Sequence, residues 1–174
     1  MSNFLTKNPP IPKIIGTKHA DIKYTERHAI RVITLNEANQ IALIHAEKDD
    51  YYKLPGGGIE GTEEHTAAAA REVREETGAT ISIRSTVGCI AVTEEYRNDL
   101  HQFSYAYIAD VLDASGEADL TAEEQADGLS HPEWLSAGDA LAKMRAVQPR
   151  SELGLFIQER DVYLLGEAIR VLEI

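Results

Sequence analysis

Apolar and polar positions along this chain alternate with a period that changes from strand-like to helix-like and back. His28-Ala29-Ile30-Arg31-Val32-Ile33-Thr34-Leu35 is rich in β-branched residues. The polar stretch Asn36–Gln40 follows, then Ile41-Ala42-Leu43-Ile44-His45, and together they read as a hairpin. Tyr51-Tyr52-Lys53-Leu54 reads as another short strand. Pro55-Gly56-Gly57-Gly58 should stop it, because Pro lacks a backbone donor and Gly weakens strands. The period then changes. Glu63–Thr77 carries four consecutive alanines, Ala67 to Ala70, among Glu and Arg residues, all good helix formers. Thr62 is the expected N-cap and Gly78 the expected C-terminal stop.

Beyond that helix, Ile81 to Val92 reads as one strand bent at Gly88, and Leu100–Leu112 as a second long one. Asp113–Gly128 reads as an acidic loop without a regular period, and Glu133-Trp134-Leu135 as a short strand. Ser136 should cap a helix through about Arg145, with Asp139 in the capping-box position. A last helix is predicted over Glu152–Leu172, with Leu153, Phe156, Ile157, Leu164, Leu165, Ala168 and Leu172 at helical spacing. The segment before Ile22 contains Pro9, Pro10 and Pro12 and reads as an extended lead-in with room for one edge strand. Strands and helices are thus interleaved with hairpins. The expected architecture is α+β, a mixed sheet covered by helices in an α/β/α arrangement. With 174 residues, no repeat and no break in composition, residues 1–174 are expected to form one domain.

Composition narrows the classes. Hydrophobic residues make up 43% and charged residues 26%, which is globular usage. The formal net charge of -12 argues against duplex nucleic acid, which is held by neutralising its phosphates. It is compatible with a small polyanion if a divalent cation bridges protein and phosphate. No run approaches the length of a membrane helix, and Met1 to Lys7 lacks the apolar core of a leader. The single cysteine, Cys89, excludes an internal disulfide and reads as a packed apolar residue. Together these point to a cytoplasmic protein with no membrane partner.

The chemistry concentrates in Arg71-Glu72-Val73-Arg74-Glu75-Glu76. Glu72, Glu75 and Glu76 stand at i, i+3 and i+4 and share one helix face. Like charges at that spacing repel by a few tenths of a kcal/mol, roughly. A hard divalent cation turns the repulsion into binding, since Mg²⁺ takes oxygen ligands. Taken alone, such a cluster is more often a solvated face. The glycine run just before it changes the balance, because residues without a Cβ let a backbone approach an ion or a phosphate.

The segment Gly57 to Ala79 resembles the Nudix box, G-x5-E-x7-R-E-U-x-E-E-x-G-U with U aliphatic. Gly57, Glu63, Arg71-Glu72, Val73, Glu75-Glu76 and Gly78 all fall in place, and Ala79 is small for the last aliphatic position. The resemblance implies hydrolysis of the diphosphate linkage in a nucleoside diphosphate derivative, dependent on Mg²⁺ or Mn²⁺. It implies that Glu72, Glu75 and Glu76, with the carbonyl of Gly56, hold the cation, that Arg71 orients Glu72, and that Glu63 keeps loop and helix in register. Family members differ in their base. Here Glu72 is the first choice, and Glu123 and Glu124 of the acidic loop are the alternative, with Glu94 and Glu95 behind them. Arg31 (with Arg27), Tyr52 (with Tyr51) and Gly57 are the substrate-binding candidates, although a strand Arg also pairs with surface acids and a Tyr also packs in cores. His28, His45 and His65 have no metal-ligand spacing. The expected substrate is a free nucleotide: a nucleoside triphosphate, oxidised or ordinary, or ADP-ribose. A homodimer through the free sheet edge is compatible with the resemblance. The alternative function is a nucleotide-sensing Nudix-fold regulator that binds without cleaving, which the retained glutamates disfavour.

Overall fold

A computed structural model describes residues 10–174 of the chain. Met1 to Lys7 and the start of the lead-in lie outside the described residues. The elements run β1 (Lys13–Gly16), β2 (Thr25–Leu35), β3 (Ile41–Ala46), β4 (Tyr51–Lys53), β5 (Gly56–Gly58), α1 (His65–Thr77), β6 (Thr80–Ile83), β7 (Ala91–Arg97), β8 (Leu100–Asp113), α2 (Ala122–Ala126), β9 (Glu133–Leu135), α3 (Ala137–Ala146) and α4 (Glu152–Leu172). The sheet is mixed. Its main order is β1-β7-β8-β2-β3-β4, with β5 also paired to β2, β6 to β8 and β9 to β3. The β2–β8 and β1–β7 pairs are parallel and the others antiparallel.

Alternation along β2 divides the interior. Ile30 and Val32 point to one face, where Ala68, Ala69 and Val73 of α1 meet Val92 and Tyr107. Ile33 and Leu35 point to the other, where Ala140 and Met144 of α3 and Leu164, Leu165 and Ala168 of α4 close over the sheet. One helix below and two above give the expected α/β/α layers. Cys89 is a buried free thiol that burial pushes up to about 11, so it packs as an apolar residue.

Several elements differ from the sequence-based expectation. The strand before the glycine run stops at Lys53 as expected, but the run then forms a strand of its own: Gly58, Gly57 and Gly56 pair with Ala29, Ile30 and Arg31 as β5. Without a Cβ the run lies flat against β2, and a Cβ on Gly56 would come within 2.1 Å of the Ile30 carbonyl. Helix α1 begins at His65, with Glu64 at the N-cap position and no side-chain cap. Thr62 therefore does not cap it. The turn closed by Glu63 N–H to the Glu60 carbonyl at 2.9 Å holds those residues out of the helix. Gly78 ends it as expected, at φ 76°.

The segment read as one bent strand is two strands, β6 and β7. They are separated by a turn in which Val87 and Gly88 both donate to the Arg84 carbonyl. The long β8 is template for both, pairing with β6 through Ala109–Asp113 and with β7 through Leu100–Ala106. The acidic loop contains α2, capped reciprocally by Thr121 and Glu124. Ser136 caps α3 through the Asp139 amide.

Candidate active site

The box folds as a hub around Arg71. Its guanidinium donates from Nε and Nη2 to the two Glu63 carboxylate oxygens at 2.9 and 3.0 Å, the fork geometry that suits Arg and carboxylate. Nη2 also donates to the Gly58 carbonyl at 2.9 Å, and Nη1 to Glu72 Oε1 at 2.8 Å and Glu75 Oε2 at 3.4 Å. One side chain thus joins the turn before the helix, the glycine strand and two of the helix glutamates. These hydrogen bonds, first of all those to Glu63, raise the Arg71 pKa. The same ion pair holds the Glu63 carboxyl below its ordinary value.

Glu72 is pressed against the glycine strand. A Cβ on Gly57 would lie 2.5 Å from Glu72 Oε1 and 2.6 Å from Oε2, so only glycine leaves the carboxylate where it is. Glu75 is the most exposed of the three, and its pKa is raised by partial burial first and by the charge of Glu72 next. Glu76 is 2% exposed. It accepts from Lys53 Nζ at 2.6 Å and from the Gly56 amide at 3.1 Å. Burial pushes its carboxyl up to about 6 against the pull of Lys53.

The donor set is therefore oxygen only: three carboxylates on one helix face and the carbonyl of Gly56. Such a set suits a hard divalent cation. Among the described residues, no three His, Cys, Asp or Glu side chains converge on a common point. Arg71 draws Glu72 and Glu75 to one side while Lys53 draws Glu76 to the other. The fit to a cation rests on the chemistry of this oxygen set and on one contact: Gly57, without a Cβ, keeps the Glu72 carboxylate against the backbone.

Strand β2 adds positive charge beside the glycines. Arg31 pairs with Gly56 and is 5% exposed. Its Nη1 donates to the Ile30 carbonyl at 3.0 Å, while Nε has no partner. Burial, and then the nearby Arg160, lower its pKa to about 10. Arg27 lies against Gly58 and donates to Gln102. Arg160 and Asp161, neighbours on α4, complete this interior. Asp161 accepts from Arg160 Nε at 2.7 Å and from the Leu54 amide at 2.9 Å, and Arg160 reaches Glu95 at 3.5 Å.

Gly56, Gly57, Glu63, Arg71, Glu72, Glu75, Glu76 and Arg31 are therefore joined in one continuous network of contacts along β5, α1 and β2. Tyr52 stands apart from them. It packs in the core, with His45 stacked at 4.4 Å and Lys143 Nζ 5.3 Å from its centroid. Glu124 adds to the negative potential at Glu75, although its carboxylate also accepts from the Thr121 amide at 3.0 Å; Glu123 is exposed. The loop before α2 is tied to α1 by the Asp119 amide donating to the Glu75 carbonyl at 2.7 Å. Glu94 is bound to Tyr96 and His101, and Glu95 to Gln102 and Arg160.

Sequence reasoning missed Lys53 and the Arg160-Asp161 pair. Lys53 left no signal, since an isolated lysine at a strand end is ordinary. Asp161 left one: it follows Ile157 by four positions and precedes Leu164 by three, so a charge lies in the apolar stripe of the last helix.

Comparison with known proteins bears on the family and the fold. Residues 25–154 match the model of the NUDIX domain. A putative 8-oxo-dGTP diphosphatase of Bacillus subtilis is 33% identical over 72 residues, 41% of this chain and 48% of that protein. The chain thus spans about half the length of this curated relative. Among solved structures, a NUDIX hydrolase from Nitrosomonas europaea is similar with a TM-score of 0.59 at 18% identity, covering 82% of this chain and 91% of its own. The MutT protein from Methanosarcina mazei is similar with a TM-score of 0.58 at 15% identity, covering 85% and 99%. At such identities these structures establish the shared fold.

Proposed function

Because the chain belongs to the Nudix family, we propose that it hydrolyses the diphosphate linkage of a nucleoside diphosphate derivative, using Mg²⁺ or Mn²⁺ held by Glu72, Glu75, Glu76 and the carbonyl of Gly56. The observation that carries this reading is the Glu72 carboxylate, fixed between Gly57 and an Arg71 that Glu63 holds in turn. Its pairing with Arg71 offsets the cost of holding the charge partly out of water and fixes where the carboxylate stands. When bound, a divalent cation neutralises diphosphate charge and lowers the pKa of a water.

The chain's own residues take the other roles. Arg71 keeps Glu72 oriented by charge-assisted hydrogen bonds. Glu72 accepts the proton of the attacking water as general base, while the water oxygen bonds to phosphorus and the bridging P–O bond breaks. Glu124, with Glu123, is the alternative base, favoured by its electrostatic reach to Glu75. Arg31 offers a desolvated cation beside the glycines to a phosphate, and Gly57 offers its backbone to the diphosphate next to the Glu72 carboxylate that fills its Cβ space. Tyr52 would serve a nucleobase only through the edge that its packing leaves accessible.

The substrate class is a free nucleotide. The name of the Bacillus subtilis relative supports an oxidised nucleoside triphosphate ahead of ADP-ribose. No helix among the described residues is long and apolar enough to cross a membrane; the cytoplasm is the proposed location.

The test is release of nucleoside monophosphate, pyrophosphate or phosphate across a panel of nucleoside diphosphate derivatives, with Mg²⁺ and with EDTA. Turnover that requires the metal, and that Glu72→Gln reduces far more than Glu123→Gln or Glu124→Gln, is the expected outcome. A larger loss in Glu124→Gln would move the base to the late loop. Tight nucleotide binding without turnover would leave a regulator.

A further inference from the structure

Lys53, the last residue of β4, lies on the oxygens proposed above to hold the divalent cation. Its Nζ is 2.6 Å from Glu76 Oε1 and donates to the Gly56 carbonyl at 3.3 Å. The pair is enclosed, with side-chain exposures of 12% for Lys53 and 2% for Glu76. The second Glu76 oxygen accepts from the Gly56 amide at 3.1 Å, so carboxylate, glycine peptide and ammonium form one closed group. A carboxylate this deep needs a counter-charge, and a lysine supplies one as a compact point charge on a flexible stem.

We infer that Lys53 is an internal counter-ion that competes with the divalent cation for Glu76 and the Gly56 carbonyl, and so sets how tightly the site takes that cation. The inference rests on the assignment of Glu76 and Gly56 in the preceding section. A single charge and a double charge within the same few ångströms repel strongly in a partly desolvated site. Cation binding therefore requires the ammonium to withdraw, and the free energy of its contact with Glu76 is subtracted from the cation's affinity. Lys53 acts through the cation site and is a positioning residue. The metal-free fold gains by the arrangement, since Glu76 is never left without a partner.

The test is Mn²⁺ binding to the full chain without nucleotide, followed by the electron paramagnetic resonance of free Mn²⁺. Wild type is compared with Lys53→Met, which keeps the length of the stem and removes the charge. The expected result is at least tenfold tighter Mn²⁺ binding by Lys53→Met. Merely structural damage would weaken binding. Equal or weaker binding by Lys53→Met, with wild type binding normally, overturns the inference and leaves the cation site standing. Absence of Mn²⁺ binding by both proteins overturns the site and the inference together. A second measurement needs no variant: wild type is treated with an amine-acetylating reagent with and without Mn²⁺, and Lys53 modification is read by mass spectrometry. A several-fold rise in Lys53 labelling with Mn²⁺ is expected, and unchanged or reduced labelling overturns the proposal.

Discussion

Replacing Gly57 by alanine separates the chemistry of the site from the stability of the fold. The added Cβ would stand 2.5 to 2.6 Å from the carboxylate atoms of Glu72. Ordinary contact needs roughly 3.5 Å, so the carboxylate must retreat by about 1 Å. Glu72 is the free end of a flexible side chain and can move. Its hydrogen bond from Arg71, 2.8 Å long, is what gives way, and a charge-assisted bond of this kind contributes about 1.5–3 kcal/mol at most. Arg71 keeps its fork to Glu63, and the displaced carboxylate can be solvated, so the net loss of stability should stay near 1 kcal/mol. Turnover should suffer far more, because a displacement of about 1 Å at a reacting group costs on the order of 100-fold. The assay is steady-state hydrolysis of the best nucleotide substrate with Mg²⁺, alongside thermal unfolding of the same preparation. A variant that melts within a few degrees of wild type and retains a hundredth of its turnover is expected. Activity within threefold of wild type would show that the position of Glu72 against the glycine strand is irrelevant to the reaction.

Two further outcomes are expected. Asp161→Asn removes the carboxylate that accepts from Arg160 and Leu54 and leaves Arg31 and Arg160 close together with less compensation; a loss of about 3–5 kcal/mol should appear in urea unfolding, and a loss under 1 kcal/mol would contradict it. The Glu76 carboxyl, pushed up to about 6 by burial, favours the metal-free fold fully below its unfolded value of about 4.3 and loses that contribution as pH rises through about 6. Because cation binding needs the ionised carboxylate, Mg²⁺ should raise the melting temperature little at pH 5 and progressively more towards pH 7.5, and an equal rise at both pH values would refute the assignment of Glu76.

The parts of the structure legible in the sequence are those with a local cause. The face shared by Glu72, Glu75 and Glu76 follows from helical period alone, and Gly78 as a helix end from its freedom at positive φ. Helix α4 was legible over its whole length because its apolar stripe persists for five turns or so. The order of strands was not, since Thr25 of β2 pairs with Leu100 of β8 and nothing near either residue records the other. The single turn α2 was hidden for a different reason: its cap, Thr121 to Glu124, is local, but so short a helix leaves no period to detect. Lys53 combines both difficulties. It meets Glu76 only because β4 and β5 run on to different neighbours, β3 and β2, and turn its ammonium under the helix.

The parallel pairing of β2 with β8 bears on how the protein is made. The whole box, Gly57 to Ala79, leaves the ribosome before β8 does, yet the buried face of α1 closes on Tyr107 and Ala109 of that later strand. Until β8 emerges, Ala68, Ala69 and Val73 lack Tyr107 and Ala109 in their cluster, and β2, on which the glycine strand lies, lacks its parallel partner. The nascent chain therefore carries its cluster of glutamates unassembled through this interval, and any site that depends on their final arrangement forms only after β8 has emerged. A ribosome-bound chain stalled before β8 should be protease-sensitive across the box, and one stalled well after it should not.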